Sequence, residues 1–178
     1  MKPYLTAKQY KELLTHLCVV HTTNEQKNDH ITKWFDENEI LHEARALKTG
    51  DYCFKITAAP EYGFPVDTYF TDELFVERKN SLGELAGSIN DEAFHYELKR
   101  SQNIKHKYLL VEQPGGWEDL LNGNYRSQYN AKSFWGTMNT FMVKYDLKVM
   151  FLKKERMGAA IYAICKSVLD GYVLKQGG

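Results

Sequence analysis

Three residues of this chain have the types and spacing that metal-assisted phosphodiester chemistry uses. Glu77 and Lys79 flank Arg78, and an isolated Asp51 opens an earlier predicted strand. Residues two apart on a strand project from the same face, so Glu77 and Lys79 would lie together and Arg78 would face the other way. Two carboxylates can hold a hard divalent cation, and a nearby ammonium can orient a water and offset charge on a phosphate. The pattern indicates a metal-dependent phosphodiesterase site, although Glu-x-Lys alone more often marks a solvated strand face.

The residues around this pattern resemble the nuclease domain of the XPF/ERCC4 family, a branch of the PD-(D/E)xK nucleases. That family carries Gly-Asp, then Glu-Arg-Lys at a variable distance, then an acidic residue after a short spacer. The corresponding parts here are Gly50-Asp51, Glu77-Arg78-Lys79 and Glu84. The resemblance extends to small phage and bacterial ERCC4-type proteins, which share the long insert before Glu-Arg-Lys and a downstream Tyr-Arg-Ser segment. It covers residues 17 to 165.

The resemblance implies roles for five residues. Asp51 and Glu77 would ligate Mg²⁺ or Mn²⁺, and Lys79 would complete the catalytic set by orienting the attacking water. Arg78 would support the site as a structural residue or as a phosphate contact, because it faces away from Glu77. Glu84 would support it by hydrogen bonding to Lys79 or Arg78, and an ordinary first-turn helix glutamate is the alternative.

The main departure from the family pattern follows the first predicted buried strand. Family members commonly carry Asp-Thr-Arg-Glu-Gln there, whereas this chain has Thr22-Thr23-Asn24-Glu25-Gln26. Thr22 replaces an aspartate that contributes to the metal site in relatives, so we expect weaker metal binding or a single ion. Glu25 matches the family and is a candidate supporting residue, with a capping or surface glutamate as an equal alternative.

Four basic residues are candidates for contacts with nucleic acid. A basic segment follows the proposed site, and a polar, aromatic loop at 122–133 places an arginine between tyrosines. Such side chains position phosphates and stack on bases. A solvated helix face and a loop packed by its own tyrosines are the alternatives. The candidates are Arg100, Lys105, Lys107 and Arg126.

Composition is that of an ordinary globular protein. The chain has 178 residues, of which 43% are hydrophobic and 26% charged, and its net charge is zero. This length supports one core, and the charge balance argues against a large non-specific DNA surface without excluding a local basic groove. The three cysteines are far apart and lack metal-ligand spacing. With no signal peptide or long apolar run in the sequence, we expect a cytoplasmic protein with buried thiols and no membrane association.

The hydrophobic periodicity predicts strands and helices that alternate along the chain. Together with the resemblance, this implies an α/β fold with a mixed central sheet flanked by helices, like the core of a restriction endonuclease. A single domain would span 1–178, with 1–16 as a helical addition and 170–178 as a flexible tail. A hairpin or flap would occupy 58–71. We expect strands at 17–20, 43–47, 51–56, 73–79, 108–112 and 147–152, and helices at 28–37, 82–89, 90–102, 117–121, 133–145 and 155–169.

Two classes of function follow. The preferred hypothesis is a divalent-metal-dependent DNA endonuclease that acts on branched or flap DNA in phage or bacterial repair or recombination. The resemblance implies hydrolysis that leaves a 5′-phosphate. The alternative is a pseudo-nuclease that only binds DNA or mediates dimerisation, since Thr22 in place of aspartate is a loss of the kind found in inactive family members. The resemblance also implies a homodimer, and a partner protein that supplies the helix-hairpin-helix domain we do not expect in this chain.

Overall fold

Strands and helices alternate along most of the chain. The computed structural model of the protein describes residues 4–23 and 27–175. The strands in these ranges are Tyr4–Leu5 (β1), Leu17–His21 (β2), Leu41–Ala44 (β3), Tyr52–Ile56 (β4), Thr68–Tyr69 (β5), Leu74–Lys79 (β6), His106–Glu112 (β7), Leu147–Leu152 (β8) and Leu174–Lys175 (β9). The helices are Ala7–Leu13 (α1), Asp29–Glu37 (α2), Leu82–Ser88 (α3), Glu92–Arg100 (α4), Gly116–Leu121 (α5), Ala131–Tyr145 (α6) and Met157–Tyr172 (α7).

A mixed sheet carries the candidate site. Within the described ranges its strands lie in the order β3-β2-β4-β6-β7-β8, with β5 paired to β4. The strands from β6 to β8 are parallel, whereas β4 is antiparallel to both β2 and β6. Parallel strands need both faces covered. The helices that connect β6, β7 and β8 cover one face, and α1, α2 and α7 cover the other.

Alternate side chains of the sheet enter two separate cores. Leu74 and Val76 of β6 pack with residues of α1, α2 and α7, and this side of the sheet is called the α7 face. Phe75 packs with residues of α3, α4, α5 and α6, and this side is called the α4 face. The result is a mixed central sheet flanked by helices on both faces, and the predicted α/β fold class is confirmed.

Two predicted segments differ in the structure. Strand β3 covers Leu41–Ala44 instead of 43–47, because Leu41 already pairs with Cys18 of β2 and sets the register. The expected flexible tail is ordered as far as residue 175, since α7 continues to Tyr172 and β9 pairs with β1. Residues 176–178 lie outside the described part of the chain. None of the helices in that part combines the length and apolar character that a membrane crossing needs.

Candidate active site

Asp51 lies in the turn that leads into β4. Its backbone nitrogen donates to the Val76 carbonyl at 2.8 Å, and its own carbonyl accepts from the Thr22 backbone nitrogen at 2.8 Å. Its Oδ2 accepts from the backbone nitrogen of Arg78 at 2.8 Å. These bonds hold the Asp51 carboxylate against the end of β6, between that strand and the residue that follows β2.

The turn before Asp51 depends on glycine and on a carboxylate from α4. Gly50 has φ +75°, and a Cβ at this position would lie 2.9 Å from a ring carbon of Phe75. Glycine is therefore required both by conformation and by space. Glu97 Oε2 accepts from the Gly50 nitrogen at 3.0 Å and from Thr49 Oγ1 at 2.8 Å. The same carboxylate pairs with Arg100 through its other oxygen.

Glu77 and Lys79 form a nearly buried pair on the α4 face. Lys79 Nζ donates to Glu77 Oε1 at 2.7 Å, and the two side chains are 12% and 9% exposed. Lys79 Nζ also lies 4.8 Å from the centre of the Phe94 ring of α4. Burial acts to lower the pKa of Lys79, but the negative charges of Glu77 and Asp51 outweigh it and the pKa is raised. Lys79 therefore carries its charge at neutral pH.

The structure brings Asp51, Glu77 and Lys79 to one place. Asp51 bonds the residue between the other two, and its charge acts on the Lys79 ammonium. Among the described residues, no group of three or more His, Cys, Asp and Glu side chains is arranged to hold a metal. Two carboxylates still suit Mg²⁺, which is usually held by one or two carboxylates together with waters and substrate phosphates. The donor set therefore suits a divalent cation whose other ligands are water or substrate oxygens.

Thr22 occupies the position where a third carboxylate would stand. It follows β2, is buried, and donates its backbone N–H to the Asp51 carbonyl across the β2–β4 ladder. Thr22 is therefore paired with Asp51 through the backbone, and its side chain carries no charge. Glu25, the other candidate from this segment, lies outside the described residues.

Arg78 faces the α7 side of the sheet, as the strand alternation predicts. Its guanidinium donates to Glu112 Oε1 at 2.7 Å, to Asn80 Oδ1 at 2.6 Å and to the Lys27 carbonyl at 3.1 Å. The same Glu112 oxygen lies 2.7 Å from His30 Nε2. The Arg78 side chain is 1% exposed. Of its two predicted roles, this burial supports the structural one and argues against a phosphate contact.

Glu84 supports the site through Asn80. Its Oε2 accepts from the backbone nitrogen and from the side-chain amide of Asn80, each at 2.8 Å. The predicted direct bond to Lys79 or Arg78 is replaced by this arrangement, because Glu84 lies in the first turn of α3, where Ser81 caps the helix. Asn80 in turn accepts from Arg78. Glu84 therefore contacts Arg78 indirectly, through Asn80, instead of by the predicted direct hydrogen bond. Its negative charge also helps to raise the pKa of Lys79.

Two of the four basic candidates do not suit a phosphate contact near this site. Lys107 is buried, and its Nζ donates to the Ile104 carbonyl at 2.6 Å. It lies inside β7, which begins earlier than the predicted strand, so its side chain enters the protein. Lys105 is exposed and lies 3.7 Å from Glu73, at the opposite end of β6 from Glu77.

The other two basic candidates lie closer to the site. Arg100 is half-exposed and reaches the Gly50 turn through its pair with Glu97. Arg126 is exposed, and a Cβ on Gly83 would lie 2.9 Å from the Arg126 carbonyl. The loop that carries Arg126 therefore packs against the start of α3. Tyr125 and Tyr129 of this loop pack on Phe134, which supports the alternative of a loop packed by its own tyrosines.

Glu97 is the residue that the sequence does not reveal. Its contact with Gly50 joins residues 47 apart in the chain. Local periodicity predicts only a surface pair with Arg100, three residues later. The single available signal is that Glu97 shares a helix face with Phe94, which lies over Lys79.

Comparison with known proteins shows the family and the fold. Residues 22–165 match the ERCC4 domain. The fold is similar to the structure of XPF from Aeropyrum pernix, with a TM-score of 0.61 and 17% identity over 85% of this chain and 65% of that chain. It is similar to the DNA complex of XPF from Aeropyrum pernix, with a TM-score of 0.61 and 17% identity over 86% and 66% of the two chains. This chain thus spans slightly less than two thirds of the length of each. No curated protein matches it. Because the matched domain covers most of its length, the chain belongs to the ERCC4 domain family.

Proposed function

We propose that this protein is a divalent-metal-dependent endonuclease that hydrolyses phosphodiester bonds in DNA. One observation carries the proposal. Two carboxylates, Asp51 and Glu77, and the nearly buried ammonium of Lys79 meet on one face of the sheet. The ERCC4 match and the similarity to a fold that has been solved with DNA support the same function.

Asp51 and Glu77 are the residues that would hold the metal. When bound there, Mg²⁺ or Mn²⁺ would supply Lewis-acid activation of a water and of the phosphate. The bond from the Arg78 backbone nitrogen orients the Asp51 carboxylate, and Lys79 orients that of Glu77. The two carboxylates are therefore held before substrate arrives.

Lys79 acts as a donor and a positive charge. The carboxylates of Glu77 and Asp51 raise its pKa, which favours the charged donor over a general base, since proton abstraction needs the neutral amine. An ammonium has three donors, and the bond to Glu77 uses one. The others can hold the attacking water or a non-bridging phosphate oxygen, where developing charge is stabilised.

The finer parts of the proposal concern substrate and partners. We propose branched or flap DNA as the substrate and a role in phage or bacterial repair or recombination. We also propose that the protein is a cytoplasmic homodimer with a helix-hairpin-helix partner. A DNA-binding pseudo-nuclease is the second candidate function. It is favoured by the uncharged Thr22, which is paired with Asp51, so that Asp51 and Glu77 are the two candidate carboxylate ligands among the described residues.

The test is cleavage of labelled duplex, flap, fork and single-stranded DNA with Mg²⁺ or Mn²⁺. Glu77→Gln and Lys79→Ala are each expected to slow cleavage by about 100-fold or more, as removal of a group that stabilises transition-state charge usually does. Lys33→Ala is the matched control, since Lys33 is an exposed cation of α2 that pairs only loosely with Glu37. It should cut like the wild type.

The pattern of results separates the two functions. Metal-dependent cleavage lost in both variants and kept in the control supports the endonuclease. Binding without cleavage supports the pseudo-nuclease, and Thr22→Asp should then restore metal-dependent cutting if the missing carboxylate is the cause. Cleavage that persists in both Glu77→Gln and Lys79→Ala would place the chemistry elsewhere.

A further inference from the structure

We propose that a cleft beside the Gly50 turn binds the unpaired nucleic-acid strand that adjoins the scissile phosphate, with Arg45 and Arg100 as phosphate contacts. The proposal rests on the proposed function, because it takes DNA as the substrate. It adds to that function a location for the single-stranded part and the residues that would hold it.

One end of the cleft lies beside the Gly50 turn, and the other end reaches Asp72 and Ile104, near the start of β6. The cleft has a volume of about 750 Å³. Thr49 lines it and lies two residues before Asp51, a separation of about 7 Å along an extended chain. The cleft is lined by Arg45, Ala46, Leu47, Lys48, Thr49, Tyr69, Thr71, Asp72, Arg100, Asn103 and Ile104.

Positive charge is concentrated in this lining. Arg45, Lys48 and Arg100 are cationic, and Asp72 is the one anionic side chain among the described lining residues. The chain as a whole has a net charge of zero. A local excess of cations at a concave surface attracts phosphate, whatever the net charge of the molecule.

Arg45 is held in a conformation suited to a nucleotide. Its guanidinium lies 4.3 Å from the centre of the Tyr69 ring, and Nη1 donates to the Tyr69 hydroxyl at 2.6 Å. That hydroxyl also bonds Glu43 at 3.0 Å. A planar guanidinium that stacks on Tyr69 with one face can stack on a base with its other face or donate to a phosphate. Because Tyr69 already holds the Arg45 side chain, binding costs little further conformational freedom.

Arg100 connects the cleft to the catalytic residues. It lies on the α4 side of the cleft and pairs with Glu97, which accepts hydrogen bonds from Gly50 and Thr49. A phosphate that binds Arg100 is thereby placed at a fixed distance from the turn that carries Asp51. Glu97 thus links one wall of the cleft to the turn that precedes Asp51.

The size of the cleft favours a single strand over a duplex. Its volume falls in the range of pockets for small molecules, about 300–1,000 Å³, which suits a few unstacked nucleotides. A duplex is wider than its own major groove, which measures about 12 Å, so it is too bulky for a cleft of this volume. Grooves that track one strand with cations and planar groups are typical of single-strand binding.

Binding in the absence of divalent metal tests this inference. The probes are a fluorescein-labelled blunt duplex and the same duplex with a short single-stranded tail at either end, titrated in EDTA and followed by anisotropy. We expect the wild type to prefer one tailed duplex by about tenfold. Arg45→Ala should remove most of that preference. The slope of log K against log salt for the tailed duplex should fall by the amount expected for about one phosphate contact. Affinity for the blunt duplex should change less than twofold.

Two further variants keep the test decisive. Lys48→Ala removes a second cleft cation and should act in the same direction, whereas Lys33→Ala on the α7 face should leave all affinities unchanged. Equal affinity of the wild type for blunt and tailed DNA would overturn the inference, and so would an Arg45→Ala loss that is the same for both probes. A chain that binds tails selectively and does not cut keeps the cleft and refutes the endonuclease. A chain that cuts DNA but shows no preference for a tail supports the endonuclease and refutes the role of the cleft.

Discussion

At the residue scale, the run Glu77-Arg78-Lys79 divides its side chains between two tasks. Glu77 and Lys79 lie on the α4 face with Asp51. Arg78 lies on the α7 face, where its 1% exposed side chain pairs with Glu112. Because both faces share the same strand backbone, the Arg78–Glu112 pair on one face also holds the end of β6 that positions Glu77 and Lys79 on the other.

This pair should make a large contribution to stability. Arg78→Met would leave Glu112, whose side chain is 7% exposed, without its guanidinium partner. Breaking a buried ion pair from one side typically costs about 3–5 kcal/mol. We expect the free energy of unfolding, measured by urea denaturation, to fall by an amount in that range. Arg78→Met combined with Glu112→Gln should recover part of the loss, since no buried charge is then left unpaired.

An exposed pair supplies the control for Arg78. Lys148 lies 3.8 Å from Asp146, and the two side chains are 45% and 78% exposed. Lys148→Met should cost less than about 1 kcal/mol, as is usual for surface ion pairs. A similar loss in Arg78→Met and Lys148→Met would show that the Arg78 network does not stabilise the fold.

Single residues were predictable from the sequence where strand alternation determines their position. Side chains alternate between the two faces of a strand, which predicts that Glu77 and Arg78 point in opposite directions, and the structure confirms it. Lys107 was placed on the surface because the predicted strand began at residue 108, whereas β7 begins at His106 and buries it. Glu97 escaped prediction because its partner at Gly50 is distant in sequence.

At the element scale, α4 connects the parts of the site. Phe94, Glu97 and Arg100 follow one another at intervals of three, so they share one side of the helix. Phe94 lies over Lys79, Glu97 holds the Gly50 turn, and Arg100 lines the cleft. A shift of α4 would therefore move the ammonium, the turn and the cleft together.

Glu97 is expected to act as a positioning residue for Asp51. Glu97→Ala removes the acceptor for Gly50 and Thr49, so kcat should fall by about tenfold, the value of one hydrogen bond to a charged group. The Mg²⁺ concentration for half-maximal cleavage should rise, whereas KM for DNA should change little. Glu97→Gln keeps an acceptor oxygen and should rescue most of the loss. Glu92→Ala, in the exposed first turn of the same helix, should match the wild type.

Glycines at helix contacts offer a second test at this scale. A Cβ on Gly158 of α7 would lie 2.9 Å from Trp34 Cβ of α2, whereas a Cβ on Gly136 of α6 would meet nothing within 4 Å. Gly158→Ala should lower the free energy of unfolding by about 1–3 kcal/mol through overpacking. Gly136→Ala should raise it by about 0.5–1 kcal/mol through helix propensity. Thermal denaturation of the two variants should thus shift in opposite directions, and a shared direction would contradict the close α2–α7 contact.

The types of element were predictable, and their arrangement was only partly so. The apolar run at 108–112 indicated a buried parallel strand, and β7 is parallel to both neighbours. The position of β4 between β2 and β6 depends on pairings between distant segments, which no local pattern encodes. The same holds for β9, because its two residues form a strand only through pairing with β1.

At the scale of the whole molecule, the fold buries all three cysteines as free thiols, as the sequence predicted. Cys165 belongs to the core on the α7 face, whereas Cys18 and Cys53 are buried outside the two cores. Burial raises the pKa of the Cys18 thiol to about 11 and that of the Cys53 thiol to about 12. It also raises the pKa of Cys165. A thiol that is held protonated in the native state should react slowly with Ellman's reagent at pH 8, and all three should react once the chain unfolds.

The same shifts make stability depend on pH. Each native pKa lies above the unfolded value, so the contribution of each thiol is complete below about pH 9 and is lost as pH rises toward the native pKa. For Cys53 that window extends from about pH 9 to pH 12, with a slope of at most about 1.4 kcal/mol per pH unit. Urea denaturation of wild type and Cys53→Ala across this window isolates the effect, because lysines and tyrosines titrate alike in both. The wild type should lose stability more steeply. Parallel slopes would mean that Cys53 ionises in the native state as readily as in the unfolded chain, and that water reaches the α4 side of β4.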